Sequence, residues 1–384
     1  MFLYVGILLL SSEKSTRIVM NKNIFLSLSL LLIAMSCKSQ KDKTELLDKI
    51  KLPAGFHIEI YADDVPNARG MDLAEDGTLF VGSRDKGSVY AVTPSRNVLV
   101  IDEGLNMPAG LDYYEGDLYV SSVSEILKYP NILNKLADPP EPELVYGDYP
   151  TDTWHGWKFI KFGPDGKLYV PVGAPCNVCL EENPVFASIT RIDQDGSNME
   201  IVAHGVRNTV GFDWNPETGD LWFTDNGRDY MGDNLPPDEL NRLTETGQHF
   251  GFPFVHGNDI HDPEFWDQRP ENFSWIKPQV NLKAHVAALG MRFYTATMFP
   301  EKYRGGIFFA EHGSWNRSSK IGYRVMFVPV ENNQAQGLEV FASGWLQGEE
   351  AWGRPVDVEV MPDGSLLVSD DMDGTIYRIY TESY

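Results

Sequence analysis

The chain has 384 residues, with 55 acidic against 32 basic side chains and a formal net charge of −23. Nucleic-acid binding rests on neutralising phosphates with Lys and Arg, so this balance argues against a nucleic-acid partner and against an anionic-membrane patch. Any anionic ligand has to be met by a local basic cluster.

The first elements concern export. Met20-Asn21-Lys22 opens a second plausible reading frame, and an apolar run over 24–35 leads into Ser36-Cys37. A basic start, an apolar stretch too short to span a bilayer and small residues before a cysteine describe a secretory signal. Ala34-Met35-Ser36-Cys37 looks like a bacterial lipoprotein cleavage box, with ordinary secretion as the alternative. The expectation is a signal region over 1–36 and a tether over 37–51 anchored to a membrane by a lipid on Cys37. An exported lipoprotein in the periplasm or cell envelope follows, with a folded body over 52–384.

From Leu52 onward the pattern is strand and turn. The phrase Glu75-Asp76-Gly77-Thr78-Leu79-Phe80-Val81 returns in related form around Gly116, Gly166, Gly219, Gly306 and Gly364, six times in all. Asp-Gly or Glu-Gly supplies the positive φ of a tight hairpin, and the residues behind it suit a buried strand. A repeated strand unit in a long chain points to an all-β, six-bladed β-propeller. The widest interval, between Gly219 and Gly306, holds a region over 229–290 rich in Pro and Trp, expected as long inserted loops. A helical turn is expected over 131–137. The last strand, 376–380, is expected to pair near Phe56 and close the ring.

Cysteines occur at 37, 176 and 179 only. In an exported protein, Cys176-Asn177-Val178-Cys179 is most simply a local disulfide clipping a loop. A zinc site would need a second pair, and a thioredoxin-like site a βαβ context. His249, His256, His261 and His285 fit no zinc spacing and read as ordinary loop histidines. There is no G-x-S-x-G elbow and no Gly-rich phosphate loop.

Five phrases are too specific for a bland propeller. They are Trp154-His155-Gly156-Trp157, His204-Gly205-Val206-Arg207-Asn208, and Thr224-Asp225-Asn226-Gly227-Arg228-Asp229 with Pro237-Asp238-Glu239. Glu311-His312-Gly313-Ser314-Trp315-Asn316-Arg317 and Gly353-Arg354-Pro355-Val356-Asp357 complete the set. In this order and spacing they resemble the soluble quinoprotein sugar dehydrogenases, most closely the sorbosone dehydrogenase-like and aldose sugar dehydrogenase-like branch. The resemblance runs from about Leu52 to Tyr380.

The resemblance implies a propeller that oxidises an aldose or related sugar with pyrroloquinoline quinone (PQQ) and Ca2+ and passes electrons to an external acceptor. It makes His155 the catalytic base, a role suited to a neutral imidazole. It places Arg207 and Asn208 at the cofactor, with the guanidinium facing the reacting oxygen, and Arg354 on a carboxylate. Calcium would take the main-chain carbonyls of Gly227 and Arg228, with Asp238 and Glu239 as further candidate ligands. Three departures stand out. Val356 occupies the family's second arginine, Trp154 replaces an Asp before the base, and the fifth-blade lysine is missing, with His312 or Arg317 as candidate replacements. Trp315 is a candidate stacking residue for cofactor or sugar. Two other readings stay open: a metal-dependent lactonase on a similar propeller, and a non-catalytic sugar- or protein-binding propeller.

Overall fold

The structure, a computed structural model, describes residues 43–382. Cys37 and the expected signal region lie outside the described residues. No helix among the described residues is long and apolar enough to cross a membrane.

Six sheets surround a channel as propeller blades, five of them four-stranded and antiparallel and blade 3 with a fifth strand. Their innermost strands are Ala68–Leu73, Leu111–Tyr114, Lys161–Phe162, Phe212–Trp214, Ala288–Phe293 and Pro355–Val360, for blades 1 to 6 in order. The repeated phrase makes the hairpin from the first to the second strand of each blade. Its glycines take the left-handed conformation expected, with φ of 87° at Gly77 and 93° at Gly116. Blade 5 shifts this by one residue. Gly305 carries the positive φ of 71°, while a Cβ on Gly306 would lie 2.4 Å from the Phe327 ring.

The ring closes as expected, through mixed ends of the chain. Strand Phe56–Ala62 pairs antiparallel with Thr375–Thr381, from Phe56 opposite Thr381 to Ala62 opposite Ile376. The body begins before Leu52, because Lys51 and Ser343 exchange main-chain hydrogen bonds of 2.7 and 3.1 Å.

One inner-strand position carries a charge in every blade: Asp72, Asp112, Lys161, Asp213, Arg292 and Glu359. Three of these aspartates accept the next blade's main-chain N–H, at Tyr113 (2.7 Å), Phe162 (2.8 Å) and Phe293 (2.9 Å). Lys161 and Arg292 neutralise the ring, Lys161 against Asp72 and Asp112, Arg292 against Glu359. Two residues earlier in blades 2 and 4 stand Gly110 and Gly211, where a Cβ would meet the next blade's main-chain oxygen at 2.2 and 2.3 Å. Glycine there is what lets neighbouring blades touch backbone to backbone.

The region 229–290 is more ordered than a loop. Glu239–Leu243 is the third strand of blade 4 and Val280–Asn281 its outer edge. Gln248–His249 adds a parallel strand to blade 3, beside Glu200–His204. Strands of two residues show no periodicity, so sequence pattern could not announce them. The helical turn expected at 131–137 is a 3-10 turn over Ile132–Lys135.

Candidate active site

The loops entering the inner strands from one end of the channel enclose a cavity of about 320 Å³. His155 stands in the loop leading to the blade 3 inner strand, in the left-handed region with φ of 52°. A non-glycine residue held there stores strain, which the surrounding structure has to enforce. Gly173 makes room for it, since a Cβ at that position would fall 2.6 Å from the Cβ of His155. Nδ1 of His155 lies 2.8 Å from the Ala174 carbonyl. A carbonyl only accepts, so Nδ1 carries the proton and Nε2 presents a lone pair from a ring that lines the cavity. Burial and the Arg207 charge push the His155 pKa down to about 3, which keeps the ring neutral.

Arg207 and Asn208 precede the blade 4 inner strand. Their main-chain N–H groups both bind Asp225, at 2.9 and 2.6 Å. Burial raises the Asp225 pKa to about 6 against those bonds. The Arg207 guanidinium donates from Nε to Asn177 O (2.8 Å), from Nη2 to Asn177 Oδ1 (3.0 Å) and from Nη1 to Asn226 O (3.0 Å). Cys176 and Cys179 form the expected disulfide, and it closes the loop that carries Asn177.

Blades 5, 6 and 1 supply a second wall. Asp371, buried, accepts from Arg69 at 2.6 Å and from His312 at 3.0 Å and is ion-paired with Arg354 at 3.0 Å. Against its burial, His312, Arg69 and Arg354 hold the Asp371 carboxyl well below the usual carboxylate range. Burial pushes His312 down to about 4 despite Asp371. Arg84, its Cζ 4.8 Å above the Trp157 ring, adds another cation at the cavity. Val356, where a second arginine was looked for, is buried against Val210, Leu289 and Trp157. The basic groups come from blade 1 instead, from a segment that carried none of the five phrases. Sequence spacing held no signal for Arg69, which meets Asp371 only through ring closure, or for Arg84, which reaches Trp157 across the cavity from another blade.

The remaining candidates divide. Gly227 and Asp238 line the cavity, and Asp238 accepts the N–H groups of Gly227 (2.8 Å) and Ala287 (2.7 Å). Burial pushes Asp238 up to about 7. Glu239 instead lines a small void behind the wall, where burial and Asp225 push it to about 8. The Arg228 side chain turns away to Asp262 (2.6 Å) and Glu264 (2.8 Å). Among the described residues, no three His, Cys, Asp or Glu side chains are arranged to hold a metal. Of the two candidates for the missing lysine, His312 lines the cavity, whereas Arg317 binds the Asp233 carbonyl and Asn234 on a neighbouring loop. Trp315 lines the mouth, 70% exposed, its ring edge-on to Tyr230.

His285 is no ordinary loop histidine. It lines the cavity, donates from Nε2 to Gly232 O (2.8 Å) and faces Asp229 at 3.7 Å, and the Asp229 carboxylate raises its pKa. Asp229, the last residue of the third phrase, also lines the cavity. Burial works against its charge, but His285 and Arg207 hold its pKa below the ordinary value. His256 is paired with Asp262 away from the cavity.

Comparison with known proteins gives a consistent picture. The chain is 37% identical over 360 residues to an uncharacterized protein of Borreliella burgdorferi, covering 88% of this chain and 92% of that one. Among solved structures it superposes on a Trichoderma reesei protein of carbohydrate-active enzyme family AA12, described as a calcium structure. That match has a TM-score of 0.73 and 19% identity, over 87% of this chain and 97% of that one. The holo PQQ domain of Coprinopsis cinerea pyranose dehydrogenase matches with a TM-score of 0.70 at 18% identity, over 86% and 97%. A PQQ-bound aldose sugar dehydrogenase of Streptomyces coelicolor matches with 0.65 at 19%, over 86% and 100%. The family model described as glucose/sorbosone dehydrogenase matches residues 141–378, which take in all five phrases, blades 3 to 5 and most of the C-terminal part of blade 6, and the chain belongs to that family.

Proposed function

We propose that the protein is a quinoprotein oxidoreductase that oxidises an aldose or related sugar at its hemiacetal or aldehyde carbon, using PQQ and Ca2+ and an external electron acceptor. The observation that carries this reading is the pairing of His155, its Nε2 lone pair free, with a basic cavity in which several polar side-chain atoms have no partner. Asn208 Oδ1, Arg69 Nε, Arg354 Nε and Trp157 Nε1 are buried there without a hydrogen-bond partner. Orphaned polar atoms of this kind are costly unless a ligand satisfies them. Three are donors, and with Arg84 and Arg207 they suit a flat ligand bearing several carboxylates.

Arg69, Arg84 and Arg354 would hold the cofactor's carboxylates, with His312 in place of the missing lysine. The main-chain carbonyls of Gly227 and Arg228 would contribute to calcium, with Asp238 the nearer of the two acidic candidates. Bound quinone supplies a two-electron acceptor for hydride, and calcium a Lewis acid that polarises it. His155 Nε2 takes the proton of the sugar hydroxyl, and Ala174 O steadies the ring as its charge grows. Arg207 places a guanidinium where negative charge develops. Glu239 and Arg317 lie outside this arrangement.

The test is titration of metal-stripped protein with PQQ, with and without calcium, followed by an aldose panel and an acceptor dye. Calcium-dependent stoichiometric binding and sugar-driven dye bleaching are expected. Binding of metal alone, with lactone hydrolysis, would replace this reading by the lactonase. His155→Ala is expected to lower kcat by about 10²–10⁴ while leaving quinone binding within a few fold.

A further inference from the structure

Asn177 is the point at which the disulfide loop meets the reaction centre. Its main-chain oxygen and its Oδ1 accept two of the three hydrogen bonds made by the Arg207 guanidinium, at 2.8 and 3.0 Å. The same Oδ1 accepts the N–H of Asp229 at 2.8 Å, and Nδ2 donates to the Asp229 carbonyl at 3.2 Å. One amide side chain thus grips the turn leaving the blade 4 second strand and the arginine leaving blade 3. Asn177 lies between Cys176 and Cys179, whose disulfide shortens the loop to a closed ring. Three residues upstream, Ala174 O fixes the His155 tautomer.

A guanidinium has five N–H donors in a rigid fork. Asn177 and Asn226 use three of them, on Nε, Nη1 and Nη2. The Asp229 carboxylate, 3.8 Å from Nη2, adds charge without a close hydrogen bond. The fork is therefore fixed on its outer side and left with two N–H donors for the cavity. Without Asn177 Oδ1, Arg207 could rotate onto Asp229 and make the close pair that the present geometry avoids.

We propose that Asn177 is a positioning residue for Arg207 and Asp229, and that the Cys176–Cys179 disulfide serves the reaction by holding Asn177 in place. This rests on the sugar-oxidising reading for its catalytic consequence, and the geometric part stands apart from it. The variants are Asn177→Leu, which removes the amide at similar volume, Asn177→Asp, which keeps both acceptor oxygens, and the double change Cys176→Ser with Cys179→Ser.

Two readouts separate the proposal from the reading beneath it. In cofactor-free, arginine-15N-labelled protein, solvent exchange of the Arg207 Nη–H groups, whose Nη2 donates to Asn177 Oδ1, is followed by NMR and assigned with Arg207→Lys. Asn177→Leu and the disulfide-free variant are expected to exchange at least tenfold faster than the unmodified protein, with thermal unfolding still cooperative. Unchanged exchange in both would overturn the proposal. In quinone- and calcium-loaded protein, Asn177→Leu is expected to lose about 10–100-fold in kcat with KM within about threefold. Asn177→Asp should recover at least a third of that loss on a logarithmic scale. A loss appearing only in KM, or an Asn177→Asp variant no better than Asn177→Leu, also overturns it. If the unmodified protein fails to bind quinone, the function above falls, and the exchange measurement still decides the positioning role.

Discussion

At the scale of single residues, the site depends on histidine and arginine held in unusual states by their neighbours. His155 acts as a base only when neutral, and its pKa is depressed from an ordinary value near 6.5 to about 3. Its neutral fraction therefore stays near one throughout pH 5–8 and declines only as the pH approaches the depressed value. NMR of the His155 ring in the cofactor-free protein is expected to show no titration over that range. A midpoint at pH 6–7 would remove the buried, Arg207-facing environment from the account. Asp371 has the opposite task, since it is the shared counter-ion of Arg69 and Arg354 and the hydrogen-bond acceptor of a neutral His312. Asp371→Asn leaves Arg69, 3% exposed, without its partner. Breaking a buried pair in this way costs about 3–5 kcal/mol. Urea unfolding should register that loss, together with quinone affinity weakened at least tenfold; a variant as stable as the original would show that the cluster is already hydrated. At the rim, Trp315→Ala is expected to raise KM for sugar several-fold with little change in kcat, because an exposed ring can add binding but no acid–base chemistry.

At the scale of elements, the blades were legible because their turns are. Each Gly-bearing phrase marks a hairpin whose backbone needs positive φ, and the run of apolar residues after it marks the second strand, buried on both faces. His155, Arg207, Asn208 and Arg354 were singled out by the family resemblance rather than by periodicity, and each lies a few residues before an inner strand and lines the cavity. Neither sequence pattern nor resemblance pointed to Arg84, which meets Trp157 from another blade, or to Arg69 and Asp371, whose contact joins residues about 300 positions apart through ring closure. Arg317 falls away from the cavity because the loop that lines it through Trp315 turns aside after it, toward Asp233 and Asn234. Sequence pattern also passed over Asp229 and His285, which meet only because residues 229–290 fold back as the outer part of blade 4. The glycines of the inner strands make a sharp test of blade contact. Gly110→Val would drive a side chain into the Lys158 carbonyl, and overpacking of this kind costs at least about 1–3 kcal/mol. A clear fall in Tm is expected, and an unchanged Tm would mean that blades 2 and 3 are able to slide apart at no cost.

At the scale of the whole molecule, the six blades act as a frame that brings distant segments to one cavity. Removing residues 372–384 deletes the strand Thr375–Thr381, which pairs both with Phe56–Ala62 and with Leu366–Asp370. Loss of cooperative unfolding is the expected outcome, and a truncated protein that still melts in a single sharp transition would contradict closure as the basis of stability. The cationic wall straddles this same seam: Arg69 belongs to the first blade, while Arg354 and Asp371 belong to the last. A bound anion reaching across from Arg69 to Arg354 therefore acts as a rivet through the joint that must part first when the ring opens. Its effect should be felt less in how the protein folds than in how long it lasts, as a slower opening and a longer survival against protease than equilibrium affinity alone would suggest.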